Sequence, residues 1–170
     1  MKEVRREIVR NCPCCRGSII SRSFTDWNGI TYQVCKDCKS VFQNPRINFE
    51  YEENYWGTVV DPDGKKRDLK SEKEFKIKNW YGDTINYVNN LSAGEILDVG
   101  AGLGFFLSAI KSEWEKSALE VSNNAVKFME DQYHDISVQQ GLLEEADFTE
   151  KQFDVIMFYH VIEHLEKPVK

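Results

Sequence analysis

The chain has no stretch that approaches the roughly 18 consecutive apolar residues that a membrane-spanning helix needs. Its first seven residues, Met1 to Glu7, are mostly charged and contain no apolar core of the kind found in signal peptides. These two absences predict a cytoplasmic protein with no membrane partner. Because the cytoplasm keeps thiols reduced, the five cysteines are not expected to form structural disulfides.

Positive charge is scarce in most of the chain. Residues 1–50 carry nine Lys and Arg against five Asp and Glu, whereas residues 51–170 carry thirteen against twenty-three. An acidic body lacks the cations that neutralise a phosphate backbone, so nucleic acid is disfavoured as its partner. The 170 residues suffice for one globular domain with a small appendage.

A dinucleotide-binding fingerprint is missing from the glycine-rich turn at Gly100, Gly102 and Gly104. That fingerprint, G-x-G-x-x-G/A, needs Gly or Ala where this chain has Phe105 or Leu107. The turn still follows an apolar strand and precedes a helix, predicted over 105–111. Glycines let a ligand approach the backbone, and the following helix offers free N–H groups. The pattern therefore predicts a ligand-binding turn of another kind.

The segment EILDVGAGLG, residues 95–104, resembles motif I of class I S-adenosylmethionine (SAM) methyltransferases, a strand running into D-x-G-x-G-x-G. Strands predicted over 117–121 and 136–140, with a helix over 123–131 between them, follow in that family's order. A buried strand over 153–158 then leads into HVIEHL. The resemblance covers about residues 71–168 and implies an α/β, Rossmann-like fold with strand order 3-2-1-4.

The resemblance also implies the cofactor-binding residues. Asp98 and the three glycines would hold the amino-acid end of SAM, and Glu120, at the end of the second strand, would hold the ribose hydroxyls. The adenine and the methyl group would be bordered by residues that follow the third and fourth strands: Leu142, Leu143, Tyr159 and His160.

His160 is the candidate catalytic residue, and three roles are open to it. The role ranked first is to form the pocket wall or contact SAM, and the role ranked second is that of a general base. A metal-binding role ranks third, because related methyltransferases have an acid at this position of E-x-x-E-H. With Glu163 and His164 it also matches a metalloprotease signature. The preceding buried strand and the lack of a third ligand argue against that activity.

The amino-terminal region contains two C-x2-C pairs with the spacing of a zinc ribbon. Two such pairs place four sulfurs around one tetrahedral, structural ion, and a hairpin turning at 26–29 is predicted between them. Free core thiols or a redox pair are the alternatives, and Cys14 is expected to be a bystander. The predicted zinc ligands are Cys12, Cys15, Cys35 and Cys38.

Three regions follow from these features: a zinc-ribbon module over 1–50, a linker over 51–70, and the first part of a SAM-binding domain over 71–170. Ser71 to Glu74 resembles a capping box that opens one helix reaching about residue 90. The methyltransferase sheet has three further strands, which residues 1–170 do not match. The fourth strand is therefore expected at a sheet edge, covered by a second copy or by a partner chain.

The predicted function is SAM-dependent methyl transfer to a small-molecule acceptor. The segments VFQNPR and YW resemble those of bacterial methyltransferases associated with surface-polysaccharide or natural-product pathways, which implies a sugar or a natural-product intermediate. Two alternatives remain. One is a non-catalytic or incomplete SAM-binding module that needs a partner chain. The other is an rRNA methyltransferase with a zinc-binding head, in which Arg5, Arg6 and Arg10 would bind RNA.

Overall fold

The computed structural model describes residues 6–17, 20–47, 56, 58–60, 66–148, 152–165 and 168. The chain divides into two compact units. Unit 1 consists of Met1–Glu50 together with Ile162–Lys170, and unit 2 consists of Tyr51–Val161. Among the described residues, no helix combines the length and apolar character needed to cross a membrane.

Unit 1 is built from short antiparallel strands. They are β1 (Arg6–Glu7), β2 (Ile20–Thr25), β3 (Thr31–Cys35), β4 (Val41–Gln43) and β5 (Arg46–Ile47). Strands β2, β3 and β4 form one sheet, and β1 pairs with β5. The predicted hairpin is confirmed: Asp26 Oδ1 accepts the N–H groups of Asn28 and Ile30, both at 2.9 Å, and holds the turn between β2 and β3.

Two long-range contacts close unit 1. The side chain of Asn44 accepts the N–H of Val9 at 2.9 Å and donates to the carbonyl of Val9 at 2.8 Å. The guanidinium of Arg46 donates to the carbonyls of His164 and Leu165. The second contact ties β5 to the 3-10 turn Ile162–His164, which explains why that turn belongs to unit 1.

The described elements of unit 2 start with an antiparallel hairpin and continue with helices and strands. The elements are β6 (Thr58–Val60), β7 (Lys66–Asp68), the 3-10 turn Leu69–Glu72, α1 (Lys73–Asn79), α2 (Gly82–Asn89), β8 (Glu95–Val99), α3 (Phe105–Ser108), β9 (Glu115–Glu120), α4 (Asn123–Gln132), β10 (Ile136–Gln140) and β11 (Val155–Phe158). Strands β8 to β11 pair in parallel in the order β10-β9-β8-β11. The predicted strand order and the α/β, Rossmann-like class with a small four-cysteine unit are confirmed.

The central strand β8 is buried on both faces. Ile96 packs with Phe106, Leu107 and Met129 on one side, whereas Leu97 and Val99 pack with Leu119 on the other. Such two-sided burial is the reason that Ile96, Leu97 and Val99 do not alternate with exposed polar residues. The fourth strand, β11, lies at an edge of the described sheet as predicted, but the expectation that it is buried is wrong, because Ile156 and Phe158 are exposed.

The single helix expected over 71–90 is wrong. The chain forms α1 and α2 instead, interrupted at Trp80 and Tyr81, and α2 begins at Gly82. The expected capping box is also wrong. The hydroxyl of Ser71 donates to the carbonyl of Asp68 at 2.7 Å, and no side chain caps the start of α1.

Helix α3 is shorter than the predicted 105–111 because α2 ends it. Asn89 Oδ1 accepts the N–H of Lys111 at 2.9 Å, and Asn89 Nδ2 donates to the carbonyl of Ala109 at 3.2 Å. These bonds fix the backbone just past Ser108, where a longer helix would have continued. The length of α3 is thus set by a contact that the local sequence does not contain.

Candidate functional site

The glycine-rich turn joins the carboxyl end of β8 to α3. Gly100, Gly102 and Gly104 have φ angles of 71°, 56° and 69°, in the left-handed region that favours glycine. A Cβ on Gly102 would lie 2.7 Å from the ring of Trp56, and one on Gly100 would lie 2.5 Å from Val161. The turn needs glycine both for its backbone angles and for close packing against the protein's own side chains.

Glu120 ends β9 and holds this turn in place. Its side chain is 4% exposed. Oε2 accepts the N–H of Gly102 at 2.8 Å, and Oε1 accepts the N–H of Ser122 at 2.9 Å. An ionised carboxylate offers about four lone-pair sites. After these two bonds, Glu120 keeps acceptor capacity for two further donors.

Asp98 lies on β8, next to the turn, and is also 4% exposed. Among the described residues, no hydrogen bond to its carboxyl group is found. Burial disfavours the charged form, and the nearby carboxylate of Glu120 adds to the effect, so the pKa of Asp98 rises to about 8. Because no cation among the described residues balances the charge of the ionised carboxylate, a positively charged ligand group beside Asp98 would stabilise that form.

An aromatic cluster lies where β11 ends. The rings of Tyr81 and Tyr159 meet edge to face at 4.9 Å, and Trp80 stacks against Tyr159 at 6.5 Å. His160 contacts Tyr159 at 4.6 Å between ring centroids. His160 also has a φ of 54°, which is uncommon for a residue with a side chain and occurs more often at functional sites.

The two leucines predicted at the adenine pocket differ in their surroundings. Leu143 packs against the cluster of Leu97, Val99 and Leu119, whereas Leu142 is largely exposed. Ser122 is the N-cap residue of α4, yet its buried hydroxyl finds no partner among the described residues. This hydroxyl is a further polar group at the carboxyl end of β9.

His160, Glu163 and His164 do not share a helix. His160 lies in a bend of unit 2, whereas Glu163 and His164 lie in the 3-10 turn that belongs to unit 1. A metalloprotease helix of the H-x-x-E-H kind, which the sequence already disfavoured, is therefore absent from residues 155–165, all of which the structure describes.

Four cysteines of unit 1 form a compact cluster. Cys12 and Cys38 have their Sγ atoms 3.6 Å apart, and those of Cys15 and Cys35 are 3.5 Å apart. All four Sγ atoms lie within 4.8 Å of one another. A tetrahedral zinc site with Zn–S bonds of about 2.3 Å places its sulfurs about 3.8 Å apart, so this donor set fits the ion.

Ser40 was missed by the sequence reasoning. Its hydroxyl lies 3.1 Å from Cys12 Sγ and 3.0 Å from Cys38 Sγ, and it lowers the pKa of the Cys38 thiol by hydrogen bonding. A serine two residues after a C-x2-C pair is the only local signal that could have suggested it. Cys14 does not belong to the cluster that the described residues form.

Trp56 was also missed as a site residue. Its ring packs with Leu69, Leu103, Phe105 and Ala125, and it lies against Gly102. The sequence places Trp56 more than forty residues before the turn that it contacts. Only a signal linking distant positions could have predicted this contact.

Comparison with known proteins matches part of this chain to one protein family. Residues 97–170 match the protein family described as a methyltransferase domain. This part of the chain is similar to methyltransferases. The matched segment begins within β8 and includes the glycine turn, Glu120 and the end of β11. The comparison with curated proteins found no match.

Several solved structures are similar in fold. The plantazolicin methyltransferase BpumL in complex with SAH matches 68% of this chain and 48% of its own, at 16% identity and a TM-score of 0.47. DesVI from Streptomyces venezuelae matches 56% of this chain and 44% of its own, at 20% identity and a TM-score of 0.43. CalS10, an amino pentose methyltransferase from Micromonospora echinaspora, matches 52% of this chain and 42% of its own, at 18% identity and a TM-score of 0.41. This chain therefore spans less than half the length of each.

Proposed function

We propose that unit 2 binds SAM at the carboxyl ends of β8 and β9 and supports methyl transfer to a small-molecule acceptor. The observation that carries this proposal is the double role of Glu120. Its carboxylate fixes the glycine turn through the N–H of Gly102 and still has two lone-pair sites for a pair of hydroxyl donors. A ribose, with two neighbouring hydroxyl groups, matches that capacity.

Asp98 and the glycine turn would receive the amino-acid end of SAM. The ammonium group is a cation, and Asp98 is a buried carboxyl group without a described hydrogen-bond partner. A cation beside Asp98 would pair with the ionised carboxylate, which would otherwise be a buried charge without a described partner. The left-handed φ angles of Gly100, Gly102 and Gly104 would give the turn the shape that receives this end of SAM. The adenine would lie towards Leu142 and Leu143.

The reacting end would lie beside Tyr159 and His160. When bound, SAM supplies an electrophilic methyl group on a sulfonium ion. The imidazole of His160 would then accept the proton that an acceptor hydroxyl or amine loses. Its exposed position at the end of β11 keeps it accessible to an acceptor that arrives from solvent. In this proposal the acceptor is a sugar or a natural-product intermediate.

We further propose that the four-cysteine cluster holds a structural zinc ion. Four protein ligands close a tetrahedral site and leave no position for water or substrate. The ligands would be Cys12, Cys15, Cys35 and Cys38. Ser40 would donate a hydrogen bond to one of the thiolates and orient it, a task typical of groups around a metal site.

Calorimetric titration with S-adenosylhomocysteine (SAH) tests the cofactor site, with NAD as the control ligand. We expect saturable SAH binding, no NAD binding, and at least about tenfold weaker SAH binding after Glu120→Gln, because one charge-assisted acceptor is lost. Gln keeps one oxygen for the N–H of Gly102 but turns its NH2 group towards the N–H of Ser122, so thermal unfolding must first show that the variant keeps the fold of the parent. Glu115→Gln, at the exposed start of β9, is the matched control and should bind as the parent does.

A folded chain that binds NAD, or that binds SAH equally well with and without Glu120→Gln, would contradict the proposal. The structure also favours one alternative, a SAM-binding module that needs a second chain. Its support is the edge strand β11, whose exposed Ile156 and Phe158 lie unpaired on one side among the described residues. Methyl transfer by the purified chain without a partner would exclude this alternative.

A further inference from the structure

The aromatic cluster at the end of β11 presents an open surface. We name this surface the aromatic platform and define it by Trp80, Tyr159 and His160. Trp80 is 46% exposed and His160 is exposed, while Tyr81 lies behind them, partly buried, and packs against Phe106 of α3 at 5.8 Å. The platform is therefore held against the core through Tyr81, while Trp80 and His160 are exposed to solvent.

The platform is continuous with the glycine turn. Val161, the residue after His160, lies so close to Gly100 that no Cβ would fit between them. Burial raises the pKa of Tyr81, and the nearby carboxylate of Asp98 raises it further. Tyr81 therefore lies close to Asp98. A ligand on the platform would thus lie next to the site proposed for SAM, on the side where β11 ends.

Exposure alone does not mark a binding surface, because single apolar side chains are often exposed. Trp27 illustrates this, since it is 92% exposed and stands at the tip of the hairpin between β2 and β3. Trp80 differs because it belongs to a connected set of rings held by α1, α2, α3 and β11. Rings held in this way bind one face of a ring-shaped ligand with little further loss of conformational freedom.

The charged side chains described at the Trp80 ring, Lys76 and its partner Glu72, favour a neutral ligand. The ammonium of Lys76 lies 4.9 Å from the centroid of the Trp80 ring, where it disfavours a second cation. The same ammonium is paired with Glu72 at 3.3 Å, which reduces its attraction for an anion. A neutral ligand is not repelled by this ammonium group and does not depend on attraction to it.

We propose that the aromatic platform binds the acceptor and that the acceptor is a neutral sugar in its pyranose ring form. This inference rests on the proposed methyltransferase function. A pyranose has an apolar face of C–H groups, which gains from burial on an indole or phenol ring, and a rim of hydroxyl groups. Because Trp80 is only half covered, the rim would remain hydrated. A fully apolar ring would instead favour a closed pocket.

Saturation-transfer NMR on the whole chain, with SAH at saturation, tests the inference. The probes are the α and β methyl glycosides of glucose and galactose, with phenol as the apolar ring. We expect a signal from the C–H protons of at least one glycoside and none from phenol. Trp80→Ala should weaken the binding of that glycoside about tenfold, whereas Trp80→Phe should retain most of it. Trp27→Ala should change nothing.

SAH affinity, measured by calorimetry on the same variants, separates the two proposals. If SAH binds and no glycoside does, the platform inference is wrong and the proposed cofactor site stands. A signal from phenol alone would overturn the choice of a sugar. Loss of glycoside binding in Trp27→Ala but not in Trp80→Ala would overturn the location. If SAH itself does not bind the folded chain, both proposals are wrong.

Discussion

At the scale of single residues, Asp98 combines a buried carboxyl group with a pKa raised to about 8. Between its ordinary pKa of 3.8 and this value, the folded chain holds a proton that the unfolded chain has lost. The contribution of Asp98 to folding stability therefore falls as the pH rises through that interval. Near neutral pH, Asp98 therefore destabilises the folded protein when no ligand is bound. A cationic ligand group beside Asp98 would offset this cost.

Asp98→Asn tests this cost because it removes the charge and keeps the shape. We expect the variant to match the parent near pH 4 and to unfold several degrees higher near pH 8, since 1 kcal/mol shifts Tm by roughly 2–8 °C in domains of this size. Thermal unfolding followed by circular dichroism between these pH values provides the measurement. The same variant should lose SAH affinity.

The exposed Asp131 of α4 offers the control for this pH series, because Asp131→Asn removes a carboxylate from solvent. Its Tm difference from the parent should not grow with pH. A Tm difference for Asp98→Asn that stays constant between pH 4 and pH 8 would contradict the pKa of about 8.

The sequence could place some site residues and not others, for a physical reason. Asp98 and Glu120 follow apolar runs, and the carboxyl ends of parallel neighbouring strands meet at one edge of a sheet. Their proximity was therefore predictable. The contacts of Trp56 with Gly102 and of Ser40 with Cys12 depend on how distant segments pack. No local pattern encodes such contacts.

At the scale of elements, the predicted bounds match the observed ones unevenly: β10 and α4 agree to within one residue, whereas β9 begins two residues earlier and β11 two residues later than expected. Strand β10 has the predicted bounds, because its limits are set by hydrogen bonding to β9 over an alternating run. Helix ends depend on partners elsewhere, as the contact of Asn89 with Lys111 shows. The break before Gly82 was hidden because apolar residues recur at roughly helical spacing from Phe75 to Val88, on both sides of the break. Two of them, Phe75 and Trp80, are nevertheless exposed.

Strand β11 leads to a prediction about association. An exposed edge with apolar side chains favours pairing with another chain, and lysine on such an edge opposes it. We expect the protein to associate with increasing concentration and Ile156→Lys to shift it towards the monomer, as measured by analytical ultracentrifugation. Ile156 is chosen because its side chain is exposed and is not part of the proposed cofactor site.

Val41→Lys provides the control for this experiment. Val41 is an exposed apolar residue on β4, an edge strand of the sheet in unit 1. The control should leave the association unchanged. Equal effects of the two substitutions, or none from Ile156→Lys, would mean that β11 is not the associating edge.

At the scale of the whole molecule, the two units differ in what stabilises them. Unit 2 has connected clusters of buried apolar side chains on both faces of its sheet. In the described part of unit 1, Val34 is the only buried apolar side chain besides Cys12 and Cys35. Unit 1 therefore needs a stabilising contribution other than a hydrophobic core, and the proposed metal supplies one.

Removal of the metal should consequently act on one unit. We expect one zinc ion per chain by elemental analysis, and we expect a chelator to raise hydrogen exchange over 6–47 while the parallel sheet stays protected. Cys14→Ser should keep the zinc and Cys15→Ser should lose it. Zinc retained by Cys15→Ser, or equal loss of protection in both units, would contradict the assignment of the ligands.

The bonds of Arg46 to the carbonyls of His164 and Leu165 span 118 and 119 residues of sequence. A ribosome delivers the four cysteines early and these two carbonyls late, because synthesis runs from the amino terminus. The four parallel strands that the structure describes, β8 to β11, are made in the interval. Until residue 165 has emerged, Arg46 has no access to its partners. Unit 1 thus completes these native contacts only after the described strands of the parallel sheet have been made.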